Sequence, residues 1–90
     1  MKYKLFKTKK FQKSSKKIRF NDMDEMNYID VVYKLLNGLK LDEKYKDHQL
    51  KGSLKDFREC YIRADLLLIY RVKDDILELV DIGTHSELFR

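Results

Sequence analysis

The sequence predicts an α+β fold: two N-terminal helices packed on a small, mainly antiparallel sheet of four to five strands. Three observations predict it. Apolar residues recur at helical spacing as far as Gly38, and at every second position after residue 45. Helix start and stop signals bracket the first half. Asp74-Asp75 joins two alternating runs in the second half and fits a two-residue hairpin loop. Ninety residues suit one domain, 1–90, with a single modest core.

Taken in order, Met1 to Lys7 alternates weakly and fits a first strand. Thr8 caps a helix over 9–19, with Phe11, Ser15 and Ile18 on its apolar stripe. Asn21 and Asp22 restart the chain, and Asp22 with Glu25 reads as a capping box. The second helix follows, with Met26, Ile29, Val32, Tyr33 and Leu36 on its inward face and Gly38 as its terminator. Short strands are expected at 48–51, 57–62, 65–73 and 76–83. The Asp74-Asp75 loop pairs Lys73 with Ile76 and Arg71 with Glu78, an opposite-charge cross-strand pair. A tight turn near Arg63-Ala64 pairs Tyr61 with Leu66. In that register Cys60, Ile62, Leu67, Ile69, Val80 and Ile82 form the core face. Phe57, Glu59, Tyr61, Leu66, Leu68, Tyr70, Leu77, Leu79, Asp81, Gly83 and His85 share the other.

Composition narrows the function. No run reaches the roughly 18 apolar residues of a membrane span. The basic start MKYKLFKTKK lacks the apolar stretch of a signal peptide. Cys60 is the single cysteine, so an internal disulfide and a cysteine-rich zinc site are excluded, and a reducing cytoplasm fits. Residues 1–20 carry nine Lys/Arg and no acid; residues 21–90 carry eleven against fifteen Asp/Glu, so +9 and −4 give the net +5. An anionic partner such as nucleic acid fits this balance, as does a solvated lysine-rich helix face.

Both histidines, His48 and His85, fall near strand ends. With Glu59, Tyr61 and Asp65 they form a cluster that the topology can assemble, and histidine is the usual acid–base residue at neutral pH. Read from residues alone, the same set also fits an ordinary polar strand end. It is a poor metal set, because the histidines lack close spacing and the cysteine faces the core. Lys44, Lys46, Lys51, Lys55, Arg58 and Arg63 interleave with Tyr45, Phe57 and Tyr61. Cations that hold phosphates beside aromatics that stack bases suit single-stranded RNA. Phe89 fits either a plug on the sheet or a base-stacking platform.

The stretch YKDHQLKGSLKDFRECYIRADLLLIYRVKDD, followed by GTHSELF, resembles the YafQ branch of the RelE/ParE toxin superfamily over residues 45 to 89. The resemblance implies a ribosome-dependent endoribonuclease of a type II toxin–antitoxin pair, an mRNA interferase that inhibits translation from the ribosomal A site. It implies no cofactor, and as partners an antitoxin, mRNA and the ribosome. It places functional residues at His48, Glu59, Tyr61, Asp65, His85 and Phe89. His85 is then the general acid, His48 the base with Asp65 as its orienter, and Phe89 the group against a flipped base. Lys46, Lys51, Lys55 and Arg58 are the expected RNA-binding cations. The strip Phe57, Leu66, Leu68, Leu77 and Leu79 is the expected antitoxin-docking surface.

Two positions depart from the branch. Tyr61 stands where a histidine is typical, and Asp81 where many relatives show arginine. Tyrosine is a poor base at neutral pH, and a carboxylate near a phosphate needs a cation, here expected from Arg58 or Arg71. A weaker nuclease or one of altered preference is expected. The alternatives are a non-cleaving RNA- or ribosome-binding member, a ParE-like gyrase poison and a dimerisation domain.

Overall fold

The computed structural model describes residues 1–89. Five strands form one mixed sheet in the order β1-β5-β4-β3-β2: β1 (Lys4–Lys7), β2 (His48–Gln49), β3 (Arg58–Arg63), β4 (Leu66–Lys73) and β5 (Ile76–Gly83). Only β1 runs parallel to its neighbour, β5; the other pairings are antiparallel. Helices α1 (Lys9–Ser15) and α2 (Asp22–Leu36) separate β1 from the rest, and a short α3 (His85–Leu88) follows β5.

Local chemistry accounts for most boundaries. Thr8 caps α1 by accepting the Phe11 N–H, while its own hydroxyl donates to the Val80 carbonyl, tying the helix start to β5. The helix stops at Ser15 rather than at residue 19; Lys16 and Lys17 offer no apolar face to bury. For α2 the capping box lies one residue earlier than expected, between Asn21 and Asp24. Asp24 does double duty: it is buried, and Arg63 of β3 reaches it as an ion pair. Asn27 then donates to the Ile62 carbonyl. These bonds to β3 set the roll of α2. Val31, Leu35 and Leu36 turn inward, whereas Met26, Ile29 and Tyr33 are 63%, 66% and 57% exposed. The expected inward stripe is thus only partly the real one.

The hairpin at Asp74-Asp75 forms in the expected register, and Arg71 Nε donates to Glu78 Oε1 at 2.7 Å. Two irregularities defeat the rest of the expected register. One lies between Tyr61 and Arg63 on β3, so Tyr61 pairs with Leu67 instead of Leu66. The other lies between Ile69 and Tyr70, where β5 has one residue too many at Val80. Each extra residue reverses which face the following side chains take. The core therefore gathers Cys60, Ile62, Leu66, Leu68, Tyr70, Leu77, Leu79 and Ile82 with Phe11, Val31, Leu35, Leu36, Leu41 and Tyr45. Leu66, Leu68, Leu77 and Leu79 are buried and cannot form the expected docking strip; Phe57 is half-buried. A fully buried leucine of this kind contributes roughly 1.5–3 kcal/mol.

Candidate active site

Two cross-strand rows lie side by side on the sheet face away from this core. In one, His48 pairs with Glu59, Glu59 with Ile69, and Ile69 with Asp81. In the next, Tyr61 pairs with Leu67 and Leu67 with Gly83. Opposed residues share a face, and rows two residues apart are separated by about 7 Å. Helix α3 is seated over the Gly83 end: a Cβ there would meet Glu87 Oε1 at 3.1 Å and Leu88 Cδ2 at 3.5 Å. The element carrying His85 is thereby placed on the face that carries His48, Glu59 and Tyr61.

His48 is an exposed imidazole held from two sides. Its Nδ1 lies 2.7 Å from the Lys46 carbonyl, and its Nε2 lies 3.5 Å from Glu59 Oε2. A carbonyl only accepts, so Nδ1 carries a proton and Nε2 is the nitrogen left for proton exchange. Glu59 is 4% exposed, a buried carboxylate lying beneath the imidazole. Lys46 presents its carbonyl from a left-handed backbone, φ 50° and ψ 44°, which costs a non-glycine residue about 1–2 kcal/mol. Asp47, the next residue, anchors this loop. It accepts from the Tyr70 hydroxyl at 2.6 Å and pairs with Arg58 at 3.2 Å. Burial, then the Asp47 carboxylate, pushes the Tyr70 phenol well above its ordinary value.

His85 is held differently. It is the first residue of α3, whose capping box joins Thr84 and Glu87. Asp65, in the β3–β4 turn with φ 55°, accepts the His85 backbone N–H at 3.0 Å. The His85 and Phe89 rings stack at a tilt, 5.0 Å between centroids.

The expected site residues thus divide into linked groups. His48 meets Glu59; Asp65 meets His85; His85 meets Phe89; and the Lys46 ammonium lies 5.9 Å from the centroid of the Tyr61 ring. Two expectations are corrected. Glu59, not Asp65, stands behind His48, because Asp65 is drawn to the tail. Asp81 finds its cation in Lys10 of α1, at 3.5 Å, because Arg58 is taken by Asp47 and Arg71 by Glu78. Arg58 is accordingly a structural cation as well as a surface one, whereas Lys51 and Lys55 are exposed beside the Gly52–Leu54 turn. Sequence reasoning passed over Asp47 and Lys10. Asp47 stands next to His48 in the quoted motif; Lys10 offers no signal, being one lysine among many. Among the described residues no group of three or more His, Cys, Asp or Glu is placed to hold a metal ion. Cys60 is buried in the core, its thiol pushed up by desolvation. No helix of the described residues is long and apolar enough to cross a membrane.

Comparison with known proteins gives consistent matches. The family described as bacterial toxin of type II toxin-antitoxin system, YafQ, matches residues 3–90. The mRNA interferase toxin YafQ of Escherichia coli strain K12 is 38% identical over 71 residues, covering 79% of this chain and 76% of that protein. Among solved structures, the metal-bound toxin from Helicobacter pylori is 46% identical, covers 97% of this chain and 99% of its own, and superposes with a TM-score of 0.86. YafQ in the E. coli DinJ-YafQ complex is 32% identical, with 98% and 99% coverage and a TM-score of 0.79.

Proposed function

This chain belongs to the YafQ family of type II toxin–antitoxin toxins, and from that premise we propose that it is an endoribonuclease that cuts mRNA on the ribosome and is silenced by a cognate antitoxin. The observation that carries the reading is the placement of the His48–Glu59 row and the His85-bearing α3 on one sheet face. Such a face can flank a scissile phosphate with a base and an acid.

In the proposed reaction the ribose 2′-oxygen attacks the adjacent phosphorus. The O2′–P bond forms and the P–O5′ bond breaks, leaving a 2′,3′-cyclic phosphate and a free 5′-hydroxyl. His48 Nε2 takes the 2′-hydroxyl proton; its Nδ1 keeps its own proton and donates it in a hydrogen bond to the Lys46 carbonyl, and Glu59 stabilises the resulting imidazolium. His85 gives a proton to the leaving 5′-oxygen. Asp65 acts through the backbone, fixing where α3 begins. Phe89, against the His85 ring, meets a base displaced from the stack. The nucleophile belongs to the substrate, so the protein's part is positioning, proton transfer and charge.

The E. coli relative is found in complex with DinJ, which supports an antitoxin partner for this chain. A non-cleaving RNA-binding role is the second reading, favoured by Tyr61 in place of histidine. Induced expression with primer extension on messenger separates the two. Discrete new 5′ ends that vanish in His85→Ala at equal protein level are expected; intact messenger alongside ribosome co-sedimentation would leave only the binding role. Relief of growth arrest by co-expression of a candidate antitoxin, with a matching complex on size-exclusion chromatography, tests the partner.

A further inference from the structure

Beside the His48–Glu59 row a cleft of about 440 Å³ opens between the Lys44–Lys46 segment and the β3–β4 turn, with Tyr61 in its wall. We propose that this cleft is a nucleotide subsite, in which the base next to the cleaved bond stacks on Tyr61 and its phosphate lies on Lys44 and Lys46. The proposal rests on the RNA-cleaving reading for its ligand class and adds where the neighbouring nucleotide goes.

Four observations carry it. The volume falls in the range of small-molecule pockets, roughly 300–1,000 Å³. Tyr61 is half-buried, which leaves one part of its ring open on a fixed backbone. The ammonium groups of Lys44 and Lys46 lie over the Tyr45 and Tyr61 rings, at 5.1 and 5.9 Å, not on carboxylates. The acidic and basic groups at the far wall already have partners: Asp65 holds the His85 N–H, and Arg63 is paired with the buried Asp24. The cleft thus offers a phosphate two cations that are not bound to carboxylates, against the single carboxylate of Asp65 at its far wall.

Lys46 connects the two places. Its left-handed backbone turns the carbonyl onto His48 and the ammonium toward Tyr61. A nucleotide bound in the cleft is then held by the residue that also orients the imidazole. Tyr61 works here through the face of its ring, so its hydroxyl is not required for proton transfer. This accounts for a tyrosine at a position where a histidine is expected.

The test is binding of a short, single-stranded, fully 2′-O-methylated RNA, which cannot be cut, followed by fluorescence anisotropy on the intact chain. Tyr61→Leu is expected to weaken binding on the order of tenfold, and Tyr61→Phe to recover most of that loss. Lys44→Gln and Lys46→Gln are each expected to flatten the dependence of log Kd on log salt by roughly 0.7. Phenylalanine binding as poorly as leucine, leucine binding as well as tyrosine, or unchanged salt slopes in both lysine variants would each overturn the subsite. Should Tyr61→Leu fail to fold, the exposed Lys44→Gln decides the matter. Binding is read without cleavage, so an inactive nuclease and an absent subsite give different results.

Discussion

His48 and His85 are supported in opposite ways. His48 belongs to the sheet. It is paired with Glu59 on the β2–β3 ladder, and its loop is tied by Asp47 to Arg58 and Tyr70, residues of two neighbouring strands. His85 belongs to a four-residue helix held by a capping box and two backbone links, which meets the sheet through Asp65 and through Glu87 and Leu88 over Gly83. One support is lost only with the fold. The other can open while the sheet stays intact, because a four-residue helix has little hydrogen bonding of its own to lose. In the proposed reaction the proton acceptor is therefore carried by the sheet and the donor by a four-residue helix.

The largest test of the contrast is catalytic. His85→Ala and His48→Ala should each lower single-turnover cleavage of programmed ribosomes by about 10²–10⁴-fold, with the thermal midpoint of His85→Ala unchanged. Next comes the anchor of the fixed side. Asp47→Ala leaves the Tyr70 hydroxyl and the Arg58 guanidinium without their acceptor and should cost about 1–3 kcal/mol of global stability in urea. On the mobile side, Thr84→Ala removes the α3 cap, worth about 1 kcal/mol. The loss should show as faster hydrogen exchange at the Leu88 and Phe89 amides, while the urea midpoint and the β4 amides stay as they are. Equal global destabilisation by Asp47→Ala and Thr84→Ala would erase the distinction.

The smallest effect concerns acid. The Tyr45 hydroxyl, 2.7 Å from Asp30 Oδ2, holds the Asp30 carboxyl below its ordinary value. A depressed carboxylate stabilises the fold above its unfolded pKa and loses that contribution as pH falls through the folded one. Asp30→Asn should therefore flatten the acid limb of stability below about pH 4 by a small amount, since the group is partly solvated.

Local signals were legible and long-range ones were not. Thr8, the Asn21 region and Asp74-Asp75 mark helix starts and a hairpin with groups adjacent in sequence, and Arg71 does meet Glu78. The two sheet irregularities leave no compositional trace, so the expected register puts Leu66, Leu68, Tyr70, Leu77 and Leu79 on the wrong face and Cys60, Ile62 and Ile82 on the right one. On α2 two apolar stripes compete. Which one turns inward depends on Asp24 meeting Arg63 thirty-nine residues away, a distance that no periodicity reports. At the candidate site the quoted motif points to His48, Glu59 and His85, but their supports come from elsewhere. Lys46 acts through its backbone carbonyl, and the Asp65 carboxylate accepts from the backbone N–H of His85, pairings that residue type alone does not announce.

Strand β1 borders the sheet with all four residues exposed, and lysines stand at both its ends, Lys4 and Lys7. An open border of this kind invites a second molecule to add its own strand, and like charges brought face to face oppose that. Lys4 and Lys7 are so placed that two such borders brought together would set like charges against each other. Replacing both lysines with threonine should increase aggregation through this margin, read as light scattering at matched concentration.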